Sequence, residues 1–243
     1  MKIEIWSDIA CPFCYIGKQN LERALDGLPH KDEIIIEYKS FELDPGASSY
    51  DGTSFVEKLT PKFGGREQAK EFLSHLTQQA KNVGLSFQLD SLKPTNTLDA
   101  HRLLKWAKTN GKETTLNEKL LIAHFTESRD VGDYDTLADI AEAVGLNRKE
   151  ALGVLKNKDL LYKDQVRKDQ DEARRVGISG VPFFIFNQKY AVSGAQPTES
   201  FSQVLEKVWE EEHPAAKFEI LSDETSSEGL CTDEGCAIPP KKS

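Results

Sequence analysis

Apolar and polar residues alternate at the N-terminus of the chain and then change to a helical spacing. The segment Lys2–Asp8 alternates isoleucines with polar residues, which predicts a β-strand. Leucines follow at helical spacing from about Cys11 to Leu28. The segment Glu33–Leu43 is rich in β-branched and aromatic residues and predicts a second strand. A strand–helix–strand order is typical of a βαβ unit, so the two strands are expected to be parallel.

The middle of the chain follows the spacing of amphipathic helices. A loop rich in Pro, Gly and Ser occupies Asp44–Thr53, and helical periodicity then continues to about Asn157. Glycines follow directly after three of the apolar faces, at Gly84, Gly111 and Gly145. Glycine in this place is the expected end of a helix, so the whole block is predicted to be helical.

Strand and helix patterns return after this block. The segment Asp159–Val176 is amphipathic, Val181–Asn187 predicts a strand, and Lys189–Gly194 predicts its hairpin partner. A final helix is expected to open at Pro197, because proline suits the first helical position.

The order of these elements predicts an α/β protein with a divided domain. Residues 1–50 and 158–212 read as two halves of one α/β unit, and residues 51–157 as an all-helical insertion domain. Residues 213–243 are polar and acidic and are expected to form a flexible tail that carries a Cys-x4-Cys pair.

Charge and composition exclude some classes of partner. The 243 residues include 31 basic and 40 acidic side chains, a net charge of −9, which argues against nucleic-acid binding because that depends on basic patches. No run approaches the roughly 18 apolar residues of a membrane span. The N-terminus lacks the apolar core of a secretory signal, so a cytoplasmic protein is expected. The oligomeric state does not follow from the sequence.

Two cysteines lie at the predicted junction between the first strand and the first helix. Cys11 and Cys14 enclose Pro12 and Phe13. The positive end of a helix favours a thiolate at Cys11, and Cys14 follows one turn later, within disulfide reach. We therefore expect Cys11 to be the exposed nucleophile and Cys14 the more shielded resolving thiol.

Other functions of this pair stay open at this point. A Cys-x2-Cys pair is also half of many zinc sites, and Cys231 and Cys236 could supply the other half. Zinc knuckles usually lie on tight turns, however, whereas the βαβ context is typical of a redox pair. An inert buried pair is the third alternative.

Several segments together resemble a known family. They are "CPFC" after the first strand, "PTNTLDAHRLLKWA" at 94–107, "LLIAHFTESRDVGDYDTLADIAEAVGL" at 120–146 and "GISGVPFFIFNQKYAVSGAQP" at 177–197. Over about residues 1–212 the chain resembles the DsbA-like dithiol oxidoreductases of the FrnE type, in the thioredoxin superfamily. The resemblance implies a thioredoxin fold, with a central mixed sheet flanked by helices, interrupted by a helical domain that covers the active site. It also implies a cis peptide bond between Val181 and Pro182.

The resemblance further implies a protein-disulfide oxidoreductase or isomerase, similar to protein disulfide isomerase, that acts on protein or peptide thiols and disulfides. Cys11 is expected to attack a substrate disulfide and Cys14 to resolve the mixed disulfide, without a metal or nucleotide cofactor. The residues expected to bind the substrate are Pro12, Phe13, Val181 and Pro182.

Two rival functions are kept. The first is a glutathione-dependent isomerase or transferase that acts on a small molecule. Such relatives on the same fold typically have Ser in place of the first Cys, and often of both, so the two thiols here favour dithiol exchange, with glutathione open as a co-substrate. Asn96 and His101 lie in a segment that resembles the segment facing the cleft in those relatives. The alternatives are a cap or surface role for Asn96 and a packed role for His101. For His124 the same alternatives stay open. A redox-regulated chaperone or zinc-binding module is the rival from another class.

The tail pair Cys231 and Cys236 encloses "TDEG", and Gly235 makes a tight turn feasible. FrnE-type proteins carry a similar pair, which leads to the hypothesis that these thiols exchange with the Cys11–Cys14 centre through a mixed disulfide. An idle or metal-binding tail is the alternative.

Overall fold

The N-terminal strand lies inside a four-stranded mixed sheet in a computed structural model, which describes residues 1–214, 231–232 and 235–236. The strand order is β2-β1-β3-β4. Strand β1 pairs in parallel with β2 and antiparallel with β3, and β3 pairs antiparallel with β4. The strands are β1 (Lys2–Ser7), β2 (Ile35–Ser40), β3 (Phe183–Phe186) and β4 (Tyr190–Ser193). The predicted parallel βαβ unit and the later hairpin are confirmed.

Helices make up most of the rest of residues 1–214. Their bounds are α1 (Pro12–Asp26), α2 (Phe55–Phe63), α3 (Arg66–Asn82), α4 (Leu98–Thr109), α5 (Glu113–Phe125), α6 (Tyr134–Ala143), α7 (Arg148–Leu155), α8 (Lys163–Arg175) and α9 (Thr198–Glu212). A 3₁₀ turn at Lys31–Glu33 leads into β2. The predicted α/β class is confirmed. In the described part of the chain, no helix is long and apolar enough to cross a membrane.

The glycines predicted to end helices do so in the left-handed region. Gly84, Gly111 and Gly145 have φ angles of 76°, 66° and 84°. Side chains with a Cβ adopt these angles at a cost, which is why glycine is favoured after a last helical turn.

The prediction of helix throughout residues 51–157 is wrong for the segment between α3 and α4. Gly84 ends α3, and Leu85, Phe87 and Leu89 then alternate with exposed residues. These three side chains are buried and pack with Tyr15 of α1 and the aromatic end of α5. A spacing of two directs alternate side chains to one side of an extended chain, which a helix cannot do.

Helices cover both faces of the sheet. On one face, residues of α1 and α9 pack against β1 and β3, with Ile5, Phe184 and Phe201 in this core. On the other face, Trp6 packs near Ala173 of α8, and its indole N–H donates to the carbonyl of Asp169. This arrangement fixes the carboxyl end of β1, where the cysteine pair follows.

The described residues group into two units. Met1–Glu212 form one compact unit and His213–Ser243 the second, so the first unit ends where the tail is predicted to begin. The division of the first unit into an α/β domain and an insertion domain at residues 51–157 stays a prediction.

Candidate active site

The two N-terminal cysteines meet at the first turn of α1. Cys11 precedes the helix with an extended backbone (φ −92°, ψ 109°), and Pro12 is the first helical residue. The N–H of Cys14 donates to the carbonyl of Cys11 over 3.1 Å. The two side chains are free thiols within hydrogen-bonding reach of each other. The structure thus brings together the two sulfur atoms that the spacing singled out.

The prediction that Cys11 is exposed is wrong. Cys11 is 3 % exposed and Cys14 2 %, so the two side chains are shielded almost equally. The thiol of Cys11 donates to the carbonyl of Val181 over 3.7 Å, so the loop before β3 lies directly on it. Burial by this distant loop could not follow from the local sequence around Cys11.

The loop that covers Cys11 is held firmly in place. The Val181–Pro182 peptide bond is cis, the configuration that the resemblance implies. The carbonyl of Pro182 accepts a hydrogen bond from the N–H of Gly194 over 2.8 Å. Pro182 is buried, and Val181 is half-buried.

A glycine inside α1 permits the close approach of this loop. A Cβ at Gly17 would lie 3.1 Å from Cγ of Pro182, 3.2 Å from Cζ of Phe184 and 3.3 Å from Cα of Ala195. Sequence reasoning missed Gly17; the signal was a glycine in a helix interior, where it is intrinsically unfavourable unless packing requires it.

The thiol of Cys14 lies in a buried polar environment. Burial raises its pKa well above the ordinary value, and the adjacent Cys11 sulfur raises it further. Hydrogen bonds from the Ser7 hydroxyl and the Asp8 N–H to the Cys14 sulfur act in the opposite direction. Two hydrogen-bond donors can therefore stabilise a thiolate on Cys14, although the raised pKa keeps the Cys14 thiol protonated in the resting protein.

Asp8 fixes the chain that leads to Cys11. Its carboxylate accepts hydrogen bonds from the N–H groups of Ala10 (3.2 Å) and Leu43 (2.8 Å). His101 Nε2 lies 3.3 Å from the same carboxylate. Burial raises the pKa of Asp8, but the hydrogen bond and charge of His101 and the bond from Leu43 outweigh it, so the net pKa is lowered. Sequence reasoning missed Asp8 and Ser7; the signal was two polar residues ending a buried strand.

The predicted cleft residues have other surroundings. His101 is 1 % exposed and lies against Asp8, so its side chain packs inside the protein instead of lining an open cleft. Asn96 is half-buried, and its amide donates to the carbonyl of Ala47 over 3.0 Å, which ties the loop after β2 to the start of α4. His124 is also 1 % exposed, and burial lowers its pKa to about 4.

A groove runs along α1 beside Phe13, which lies between the two cysteines in the chain. It has a volume of about 650 Å³, and its apolar side chains include Phe13, Ile16, Val83, Ala195 and Pro197. Phe13 and Pro12 are half-buried. The groove is thus formed by α1, the end of α3 and the loop between β4 and α9. Among residues 1–214 there is no cluster of three His, Cys, Asp or Glu side chains that could hold a metal ion.

The tail cysteines are described only by their backbone. Cys231–Thr232 (β5) and Gly235–Cys236 (β6) form an antiparallel pair, with Cys231 opposite Cys236. Their side chains lie outside the part of the chain that the structure describes, so their role as an auxiliary redox pair stays a prediction.

The chain is similar to a known family of domains and to several known proteins. Residues 2–206 match the family model of the DSBA-like thioredoxin domain. A probable DsbA oxidoreductase from Streptomyces coelicolor is 38% identical, with a TM-score of 0.82 over 99% of this chain and 100% of that chain. The uncharacterized protein YwbO of Bacillus subtilis is 27% identical over 84% of this chain and 94% of its own length. The cytosolic disulfide reductase DsbM of Pseudomonas aeruginosa is 15% identical, covers 85% of this chain and 98% of its own, and shares the fold with a TM-score of 0.60.

Proposed function

The chain belongs to the family of DsbA-like thioredoxin domains, and we propose that it is a protein thiol–disulfide oxidoreductase whose reactive pair is Cys11 and Cys14. The main support is the meeting of both free thiols at the start of α1, with the carbonyl of Val181 on Cys11. A dithiol in this arrangement can close into a disulfide without moving either backbone far.

The reaction proceeds in two steps. The Cys11 thiolate attacks a substrate disulfide and forms a mixed disulfide, releasing one substrate thiolate. The Cys14 thiolate then attacks the Cys11 sulfur, which closes the Cys11–Cys14 disulfide and releases the second substrate thiolate. Substrate oxidation runs through the same steps in reverse, and the redox partner decides the direction.

Substrate binding in this proposal uses the residues around Cys11. An extended peptide lies across the loop of Val181 and Pro182, where main-chain groups can pair with it. Its apolar side chains enter the groove beside Phe13, which has room for several of them. The groove and the shielded sulfur favour substrates whose disulfide lies in an unfolded or flexible segment. No metal or nucleotide cofactor takes part.

A glutathione-dependent reaction is the second candidate. DsbM, which shares this fold, has been solved with glutathione, and the restricted access to Cys11 suits a small thiol. In this variant of the proposal glutathione reduces the mixed disulfide in place of Cys14. A cytoplasmic location, where glutathione keeps thiols reduced, belongs to both candidates.

Trapping distinguishes the two candidates. A Cys14→Ala variant lacks the internal resolving thiol, so the last partner to react with Cys11 stays attached to it and can be identified in cell extracts by mass spectrometry. Protein adducts support the oxidoreductase, whereas glutathione alone supports the second candidate. The matched control is Cys11→Ala, which captures neither. Turnover of a peptide disulfide that survives in Cys11→Ala would contradict both.

A relay through the tail is part of the proposal. The backbone register of Cys231 and Cys236 suits a disulfide, because directly opposite Cα atoms in an antiparallel pair lie about 4.5–5.5 Å apart. We propose that this pair exchanges electrons with the Cys11–Cys14 centre by way of a mixed disulfide.

A further inference from the structure

A small cavity lies beside Ser7, a neighbour of the Cys14 thiol. Its volume is about 10 Å³, and its lining includes Ser7, His101, Lys105, Glu113 and Asn117. All five side chains are buried. A cavity of about this size holds one water molecule when it is polar.

Three residues of this lining carry polar atoms without a hydrogen-bond partner. Within the described part of the chain, Oε1 of Glu113, Nδ1 of His101 and Nδ2 of Asn117 are buried and make no hydrogen bond. Each such atom costs about 1–3 kcal/mol if it stays unpaired. A buried water typically makes about three hydrogen bonds, so one water molecule in this cavity could satisfy all three.

The cavity connects Cys14 with a carboxylate. The hydroxyl of Ser7 lies close enough to the Cys14 sulfur to lower its pKa, and Ser7 also lines the cavity. Glu113 lines the same cavity, at the start of α5. Its second oxygen, Oε2, accepts a hydrogen bond from the N–H of Tyr38 over 3.3 Å, which holds the carboxylate in place and leaves Oε1 available.

We propose that Glu113 accepts the proton of Cys14 through the Ser7 hydroxyl and one water molecule bound in this cavity. The inference rests on the proposed function, because it concerns Cys14 as the resolving thiol. A buried thiol cannot lose its proton directly to bulk water, so an internal acceptor is needed at this step.

Protons and electrons balance when Cys14 resolves the mixed disulfide. In the mixed disulfide, Cys14 is a thiol and Glu113 a carboxylate. The Ser7 hydroxyl turns its proton from the Cys14 sulfur towards the water, its oxygen takes the Cys14 proton as its own passes to the water, and the water passes one to Glu113. The Cys14 thiolate attacks the Cys11 sulfur, the bond from Cys11 to the substrate breaks, and the leaving thiolate takes a proton from solvent. Glu113 later returns its proton when the pair is reduced again.

The charges around Glu113 suit a proton acceptor. Burial raises the pKa of Glu113, and the nearby Glu37 of β2 raises it further. The positive charges of Lys105 and Lys108 of α4 lower it, but the net pKa is raised. A raised pKa makes a carboxylate a stronger base towards a thiol. Nζ of Lys105 lies 4.0 Å from Oε1 of Glu113 but 2.5 Å from Asp169 of α8, so its principal partner is Asp169. The remaining titratable groups on the cavity lining are Tyr38 and Lys39 of β2 and His101 of α4.

The test separates the two steps of exchange. Full-length reduced protein, with Cys231→Ser and Cys236→Ser to confine the chemistry to the centre, is mixed in stopped flow with a symmetrical aromatic disulfide whose thiolate is coloured. Attack by Cys11 releases the first coloured thiolate, and resolution by Cys14 releases the second. A Cys14→Ala variant, which releases only the first, identifies the two phases.

Glu113→Gln is expected to slow the second release by about a hundredfold at neutral pH, the lower end of general-base contributions, and to leave the first unchanged. The deficit should shrink as the pH rises, because hydroxide can then take the proton. Glu113→Asp should recover part of the rate. The control is Glu42→Gln, since Glu42 is similarly buried with an unpaired oxygen but does not line the cavity.

Two results would overturn the proton relay, and a third would overturn the proposed function. An unchanged second release and pH profile in Glu113→Gln, or an equal slowing of both releases, would overturn the relay. If Glu113→Gln does not fold, Ser7→Ala carries the same expectation, because it removes the hydroxyl that links Cys14 to the cavity. Absence of both releases in the parent protein would overturn the proposed function instead, and with it the premise for the relay.

Discussion

Gly17 shows how a single hydrogen atom in place of a side chain shapes the active site. It lets α1 approach the Pro182 loop so closely that Cys11 and the carbonyl of Val181 come together. Helix propensity alone favours alanine over glycine by about 1 kcal/mol in a helix interior. The tight contacts at this position reverse that preference.

Gly17→Ala is therefore expected to lower the free energy of unfolding by about 1 kcal/mol, the low end of overpacking costs, and to slow thiol–disulfide exchange. The matched control is Gly153→Ala in α7, where an added Cβ meets no atom within 4 Å, so helix propensity should raise stability. Urea unfolding of both variants measures the difference. A stabilised Gly17→Ala protein with normal activity would contradict the close packing.

His124 gives the protein a pH dependence of its own. Burial lowers its folded-state pKa from 6.5 to about 4, so between these values the unfolded chain binds a proton that the folded protein does not. Stability must then rise with pH across this window, by about 3 kcal/mol at most from this residue.

His124→Gln should flatten the stability profile between pH 4 and pH 6.5. The measurement is urea unfolding at a series of pH values. His75→Gln is the control, because His75 is exposed on α3. A profile for His124→Gln as steep as that of the parent would show that another group causes the slope.

The extended segment between α3 and α4 joins helices that are distant in the chain. Phe87 stacks on Phe125 of α5 with ring centroids 4.9 Å apart, and on Tyr15 of α1 at 5.9 Å. Tyr15 directly follows Cys14, so this aromatic group supports the first turn of α1 from outside the sheet. The packing of this aromatic group and the close contact at Gly17 both support α1.

Phe87→Ala is expected to lower the free energy of unfolding by about 3 kcal/mol, as is usual for a buried phenylalanine. The control is Phe63→Ala on α2, because Phe63 is 36 % exposed and should cost much less. Calorimetry or urea unfolding gives both values. Equal losses in the two variants would mean that the aromatic group contributes no special support.

At the scale of the whole molecule, the compact unit ends at Glu212, and the N-terminal amine of Met1 forms an ion pair with that residue over 3.1 Å. A protein truncated after Pro214 keeps this pair. We expect its free energy of unfolding to equal that of the full chain, because the packed core lies within the first unit.

The same truncation tests the proposed tail relay. If the relay operates, truncation and the double variant Cys231→Ser/Cys236→Ser both lower turnover with a protein disulfide to the same extent, while stability stays constant. Thiol counting on Cys11 and Cys14 follows the redox state. Unchanged turnover and redox state in both proteins would remove the relay from the proposal.

The sequence by itself determined the features that depend on neighbours along the chain. Periodicity predicted the parallel βαβ unit and the hairpin, and glycines predicted helix ends at Gly84, Gly111 and Gly145. The spacing of Cys11 and Cys14 at a strand-to-helix junction predicted their meeting, since one helical turn suffices to bring them together. The prediction of helix was wrong for Leu85–Leu89, because the helical periodicity of the flanking segments was extended across residues whose apolar side chains alternate.

Only the tertiary structure decided how the cysteine pair is enclosed. The carbonyl on Cys11 comes from Val181, 170 positions away, and the histidine on Asp8 is 93 positions away. Glu113 of α5 shares a cavity with Ser7 of the first strand. Such contacts depend on how whole elements pack, and hydrophobic spacing specifies which face of an element is buried but not which distant polar group it will meet.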